Sequence, residues 1–227
     1  LKGGIVYADK INTVSPTYRD EILSPAMGIG FDGILRSRQQ DVSGILNGLD
    51  SKQWDPSIDT ALPANYSAAN LQGKKSNKRA LQKSLGLDTQ AKGPLVAMVT
   101  RLDTQKGLDI VEGAWQDMLQ RDLQFVLLGS GEKVHMDRFE RLRNDAPPGR
   151  VSIYLGFDDG LARRIYAGSD LFLMPSLYEP CGLGQLIALR YGSLPLVRRT
   201  GGLADTVHDP QDDPQRANGF VFDEPTP

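Results

Sequence analysis

Three charged residues have types and spacing suited to chemistry on an anionic, hydroxyl-rich molecule. Arg101 and Lys106 bracket a polar stretch that follows an apolar run at 95–100. Two cations so placed can neutralise a diphosphate, arginine through a forked contact and lysine as a point charge. A solvated loop with incidental charges is the alternative. Glu179 opens Glu-Pro-Cys-Gly, between the apolar run 171–174 and a glycine-rich helix start. Backbone N–H groups at such a start can hold a phosphate. A carboxylate there would repel one, so Glu179 reads as facing neutral groups such as sugar hydroxyls, with helix capping as the alternative. Gly129-Ser130-Gly131 permits close backbone approach to a ligand, or is simply a turn. The outline is that of a nucleotide-sugar site.

Other reactive types carry less. Cys181 has no histidine near it in sequence, and a small buried thiol is the simpler reading. His135 falls in a polar helix and His208 at a helix end, and neither has metal-ligand spacing with another candidate, so no metal is expected. Phe157, just after a strand, either stacks on a base or belongs to the core. Asn47 is a turn residue or reaches into a cleft between domains.

The elements that must position these residues alternate. Short apolar runs at 95–100, 124–128, 151–155, 171–174, 194–197 and 218–222 read as strands. Helices are expected at 77–85, 107–120, 135–145, 158–167 and 185–191, with another opening at Thr200-Gly201-Gly202. This alternation argues an α/β fold, a Rossmann-like doubly wound parallel sheet with ligands beyond the carboxyl ends of its strands. Before it, 5–8, 11–14 and 42–46 look β-like, and 31–38 irregular or briefly helical. Ser15-Pro16 is set to start a helix over 17–23. The expected division is 1–45 as the tail of a preceding domain, 46–75 as a linker and 76–227 as the nucleotide-sugar domain.

Composition narrows the partners. Hydrophobic residues make up 40% of 227, enough for a substantial core, and a net charge of −2 argues against nucleic acid or an anionic membrane. One cysteine excludes an internal disulfide and suits a reducing compartment, the cytoplasm or a plastid stroma. No apolar run approaches the roughly 18 residues of a membrane span.

Glu179-Pro180-Cys181-Gly182-Leu183, followed by Arg190-Tyr191-Gly192 and by 198–207, resembles the bacterial glycogen synthase and plant starch synthase family. The likeness extends to Ala8-Asp9-Lys10, Thr13-Val14-Ser15-Pro16, Asn47-Gly48, Arg101-Leu102, 105–109, 128–131 and 164–168. It implies a two-domain GT-B fold and retaining transfer of glucose, chiefly from ADP-glucose, to the non-reducing end of an α-1,4-glucan, with no metal or other cofactor. Carried over by position, Arg101 and Lys106 hold the diphosphate and stabilise the leaving group, and Glu179 binds the glucosyl hydroxyls. Cys181, Gly182, Leu183 and Gly184 line the sugar and phosphate pocket beside Gly129 and Gly131. Phe157 lies against the adenine, and Asn47 stands near the active site between the domains. Gly184 replaces the threonine of many members, and Ile187 stands where wider GT-B enzymes carry a second glutamate. The sequence reads as a C-terminal portion of such an enzyme, expected alone to bind nucleotide weakly and transfer little or no glucose.

Overall fold

The computed structural model describes residues 1–227. Its main feature is a six-stranded, all-parallel sheet in the order β5-β4-β3-β6-β7-β8. The strands are β3 (Leu95–Leu102), β4 (Gln124–Gly131), β5 (Val151–Leu155), β6 (Leu171–Met174), β7 (Leu194–Arg198) and β8 (Phe220–Phe222). Successive side chains of a strand point to opposite faces, so a strand buried on both sides must be apolar throughout. β3 shows this directly. Leu95 and Ala97 join one core with Val126, Leu128 and Phe172, while Val96 and Met98 join the other with Phe125 and Leu127.

Helices cover both faces. α4 (Gln72–Ser84), α8 (Asp159–Gly168) and α9 (Gly184–Arg190) close the first core through Leu81, Ile165 and Ile187. α5 (Leu108–Gly113), α6 (Trp115–Gln120) and α7 (Lys133–Asp145) close the second through Val111, Trp115 and Phe139. α10 (Gly201–Thr206) packs Leu203 on Val197 of β7. The chain order moves outward from β3 to β5, then returns to place β6 on the other flank of β3. A crevice opens at that reversal, beyond the carboxyl ends of β3 and β6. None of the helices is long and apolar enough to cross a membrane.

The first 45 residues form a separate small layer. β1 (Ile11–Thr13) pairs in parallel with β2 (Val42–Gly44). α1 (Lys2–Tyr7) and α3 (Asp32–Ser37) help enclose a small core of Ile5, Leu35 and Val42. In α2 (Pro16–Glu21), Ser15 is the N-cap, its Oγ accepting from the Tyr18 N–H at 2.8 Å, with Pro16 at the first helical position.

Several expected elements differ. Residues 5–8 are not β-like: they lie in and just after α1, where Ile5 is buried while Val6 and Tyr7 are exposed. Four apolar residues cannot distinguish the two periods, and no partner strand lies beside them. The helix expected over 107–120 is broken at Ala114 into α5 and α6. α4 begins at Gln72, ahead of the expected start.

The stretch 46–75 is not a free linker in its middle. Leu62 and Tyr66 are buried in the first core, and Trp54 meets Tyr166 and Tyr191 edge to face. The Tyr66 hydroxyl donates to the Tyr191 carbonyl at 2.7 Å. Asp59 accepts from the Tyr191 hydroxyl at 2.5 Å and from Arg163 Nη1 at 3.2 Å, and the Arg163 guanidinium lies 4.4 Å over the Trp54 ring. The Asp59 and Arg163 side chains are only 4% and 14% exposed. Removing Asp59 leaves the nearly buried Arg163 with the exposed Asp159 carboxylate, at 2.9 Å, as its remaining ion-pair partner and takes the acceptor from the Tyr191 hydroxyl, at a cost toward the lower end of about 3–5 kcal/mol. Asp59→Ala is therefore expected to lower the unfolding free energy by about 3 kcal/mol, read as a lower urea midpoint with an unchanged slope, and Asp59→Asn by less.

Candidate active site

The site is assembled where two loops, 73 residues apart in sequence, are fastened together at the crevice. After β3 the chain makes a single 3-10 turn over Thr104–Lys106. After β6 it makes the turn that contains Ser176, Glu179 and Gly182. The Leu177 N–H donates to the Gln105 carbonyl at 2.8 Å, and Gln105 Nε2 donates to the Tyr178 carbonyl at 3.0 Å. Gly107, at φ +66°, lies so close to the Pro175 carbonyl that a Cβ there would collide with it. Glycine is needed at that point for both the left-handed conformation and the close approach.

This fastening brings Lys106 Nζ to 2.7 Å from Glu179 Oε2, with the side chains 15% and 9% exposed. Ser176 Oγ donates to the same oxygen at 2.9 Å. Both contacts fall on Oε2, which leaves Oε1 for another partner. Arg101, at the end of β3, is 69% exposed; its Nη1 lies 3.3 Å from Asp103 Oδ2 and its Nη2 donates to Gln105 Oε1 at 3.3 Å. These are long, solvent-screened contacts, so the guanidinium is free to turn toward an anion.

Two cavities adjoin and share Val99, Thr100 and Arg101. The first, of about 260 Å³, is lined by Lys106, Glu179, Ser176 and the Gly182-Leu183-Gly184 entry to α9. The second, of about 220 Å³, is lined by Gly129, Ser130, Phe157, Asp158 and Asp159. Phe157 is 88% exposed, its ring presented outward instead of packed in the core. One cavity thus offers cations, a carboxylate and the unpaired N–H groups of a helix start. The other offers an aromatic face. Tyr166 also lines the first cavity, and burial pushes its phenol above the ordinary range, so it stays protonated.

Arg101, Lys106, Glu179, Gly182, Leu183 and Gly184 therefore converge, with Gly129 and Phe157 alongside. Three expected residues stand apart. Cys181 is buried and turned away from the cavity, its carbonyl accepting from Gln185 Nε2 at 3.0 Å. Gly131 lies within β4 beyond the cavity lining, packed against the Leu102 backbone where a Cβ has no room. Asn47 is exposed and lines neither cavity. His135 lies in the expected helix, α7, and is buried there, with Nε2 3.4 Å from Thr104 Oγ1 behind the Arg101–Lys106 loop. Ser176, Gln105 and Tyr166 belong to the site as well, although the sequence assigns none of them a role; Gln105 and Tyr166 fall in the stretches 105–109 and 164–168 that carry the family likeness. The Gln-Lys-Gly triplet was the one available signal for Gln105.

Residues 79–227 match the family model described as glycosyl transferases group 1, and residues 1–37 match the model of the starch synthase catalytic domain. A glycogen synthase of Syntrophotalea carbinolica is 62% identical over 227 residues, all of this chain and 47% of that protein. A glycogen synthase of an Anaeromyxobacter species is 53% identical over 222 residues, 98% of this chain and 46% of the relative. Among solved structures, the catalytic domain of starch synthase IV from Arabidopsis thaliana, bound to ADP and acarbose, superposes with a TM-score of 0.93 at 43% identity. That match covers 99% of this chain and 47% of the other. Anabaena HepE, in complex with UDP and glucose, shares the fold at a TM-score of 0.64 and 20% identity, over 98% of this chain and 51% of the other. The chain spans about half the length of the curated relatives it matches.

The Lys106–Glu179 pair makes a prediction independent of any ligand. Lys106→Met leaves a nearly buried carboxylate without its cation and is expected to destabilise the fold by about 3–5 kcal/mol. Adding Glu179→Gln should recover part of that loss, measured as the melting temperatures of the two single variants and the double variant. Additive losses would show the pair to be uncoupled.

Proposed function

The chain belongs to the group 1 glycosyl transferases, and from that premise we propose that it is part of a glycogen or starch synthase. The proposed reaction is retaining transfer of glucose from ADP-glucose to the non-reducing end of an α-1,4-glucan. The observation that carries the reading is the pair of adjoining cavities joined at Arg101, one lined by Lys106 and Glu179 and the other by Phe157. Their chemistry matches a sugar diphosphate followed by a base. The similarity to the glycogen synthases and to starch synthase IV favours glucose and adenine as the sugar and the base.

In this reading Phe157 stacks on the adenine, and Arg101 and Lys106 take the diphosphate together with the first-turn N–H groups of α9. Glu179 accepts hydrogen bonds from the glucosyl hydroxyls through Oε1 while Lys106 and Ser176 hold Oε2. As the bond from the anomeric carbon to the phosphate oxygen breaks, the leaving group keeps the electron pair and the ring gains positive charge. Prepositioned cations stabilise the first charge where a metal ion would otherwise be needed, and Glu179 stands near the second. The acceptor hydroxyl forms the new bond on the same face and passes its proton to a departing phosphate oxygen. Asn47, outside both cavities, belongs on the acceptor side between the two domains. The proposed setting is the cytoplasm.

Calorimetric titration with ADP and UDP tests the reading. ADP is expected to bind in preference to UDP, and Arg101→Ala to weaken it by about 1.5–3 kcal/mol, the worth of a hydrogen bond to a charged group. Equal binding of ADP and UDP would move the assignment to another nucleotide-sugar enzyme, and failure of a folded protein to bind either would overturn it. Glu179→Gln should abolish transfer from ADP-glucose while sparing ADP binding.

A further inference from the structure

Away from the two cavities, α2 of the first unit and α10 of the second bind each other's starts. Asp205, near the end of α10, accepts from Thr17 Oγ1 at 2.6 Å and from the Thr17 N–H at 3.1 Å. Glu21, the last residue of α2, accepts from Thr200 Oγ1 at 3.0 Å and from the Gly201 N–H at 2.8 Å. Hydrogen bonds to an ionised acceptor are the strong ones, and a carboxylate beside unpaired first-turn N–H groups is well placed. The second oxygen of Glu21 is buried with no hydrogen-bond partner.

The contact leads to the site. The Gly202 N–H, one peptide beyond the one Glu21 holds, donates to the carbonyl of Glu179 at 3.0 Å. Gly201 and Gly202 press so closely on the Glu179 and Cys181 carbonyls that a Cβ on either would collide. The backbone from which Glu179 projects therefore rests on the start of α10, and the start of α10 is held by Glu21. Glu21 itself lines neither cavity.

We propose that Glu21 is a positioning residue for Glu179, setting from the first unit the turn that presents the carboxylate to the sugar of the nucleotide sugar. The inference rests on the function proposed above. Its mark is selectivity: Phe157 and Arg101, which hold the adenine and diphosphate, lie just after β5 and at the end of β3 and do not rest on α10, so loss of Glu21 affects recognition of the sugar more than that of the nucleotide. Asp205 secures the same two helices without touching the turn of Glu179, which makes it the matched control.

The test measures, on the full-length protein, the ratio of affinities for ADP-glucose and ADP in wild type, Glu21→Ala, Glu21→Gln, Asp205→Ala and Glu179→Gln. Glu21→Ala is expected to lower the ratio about tenfold, as the loss of one charge-assisted contact would, with ADP affinity changed less than about twofold. Glu21→Gln keeps an acceptor but loses the charge and should lower the ratio about threefold. Asp205→Ala should leave the ratio unchanged, and Glu21→Ala should add nothing in the Glu179→Gln background. An unaltered ratio in Glu21→Ala, or an equal fall in Asp205→Ala, would overturn the proposal. Should Glu21→Ala not fold, Glu21→Gln carries the test, and an unaltered ratio there overturns it equally. Wild-type protein that binds neither ligand would remove the parent reading, whereas ADP-selective wild type with a Glu21-independent ratio would remove this inference alone.

Discussion

The ion pair between Lys106 and Glu179 makes the most demands on the rest of the fold. Its members lie on loops that follow different strands, and neither loop carries enough local structure to hold a charge in place. The pair exists because β3 and β6 are neighbours in the sheet, although β4 and β5 come between them in sequence. It also needs the two loops to be fastened backbone to backbone, through Gln105, Leu177 and the close approach of Gly107 to Pro175. A parallel sheet covered on both faces provides a base stiff enough for this. The apolar residues of β3 and β4 are thus structural prerequisites for the polar site beyond their ends.

The cavity beside the pair shows how one carboxylate can serve two ends. Lys106 and Ser176 both engage Oε2, so Glu179 is oriented without being used up. Arg101 is held only loosely, by contacts at 3.3 Å to Asp103 and Gln105. The buried cation is fixed in its pair and the exposed one is loosely held. That division follows from burial, since a desolvated pair is rigid and a solvated one exchanges easily with an arriving anion.

Much of this was legible in the residue order, for a definite reason. Strands β5 and β6 coincide with the runs 151–155 and 171–174 because both are short and bounded by turns, β6 between two neighbours and β5 at the edge with Ile153 as its buried residue. The Ser15 cap and Pro16 likewise announce α2. Local pattern fails where a segment takes its structure from distant partners. Residues 5–8 form and follow a helix because Ile5 packs on Leu35 and Val42, which no window around them contains. The arm around Trp54 and Tyr66 has no periodicity because it is moulded to Tyr166 and Tyr191, more than 100 residues later. At the site, the residue types of Arg101, Lys106 and Glu179 were readable, but the contact between two of them was not. Cys181 is the small buried thiol that its residue type suggests, and the pocket position implied by the family likeness does not hold because the glycine-rich turn points its neighbours, not Cys181, to the cavity.

The packed arm has a mechanical consequence. The first unit is anchored as far as Ile45, whose N–H donates to the Thr13 carbonyl, and the chain is anchored again from Leu49, which packs on the main core. Only Leu46, Asn47 and Gly48 lie between. A tether of three residues reaches about 10 Å when fully extended. So short a tether, together with the hydrogen bonds of Glu21 and Asp205 between α2 and α10, holds the two units in register. Asn47 sits at the middle of that tether, where the chain passes from one unit to the other.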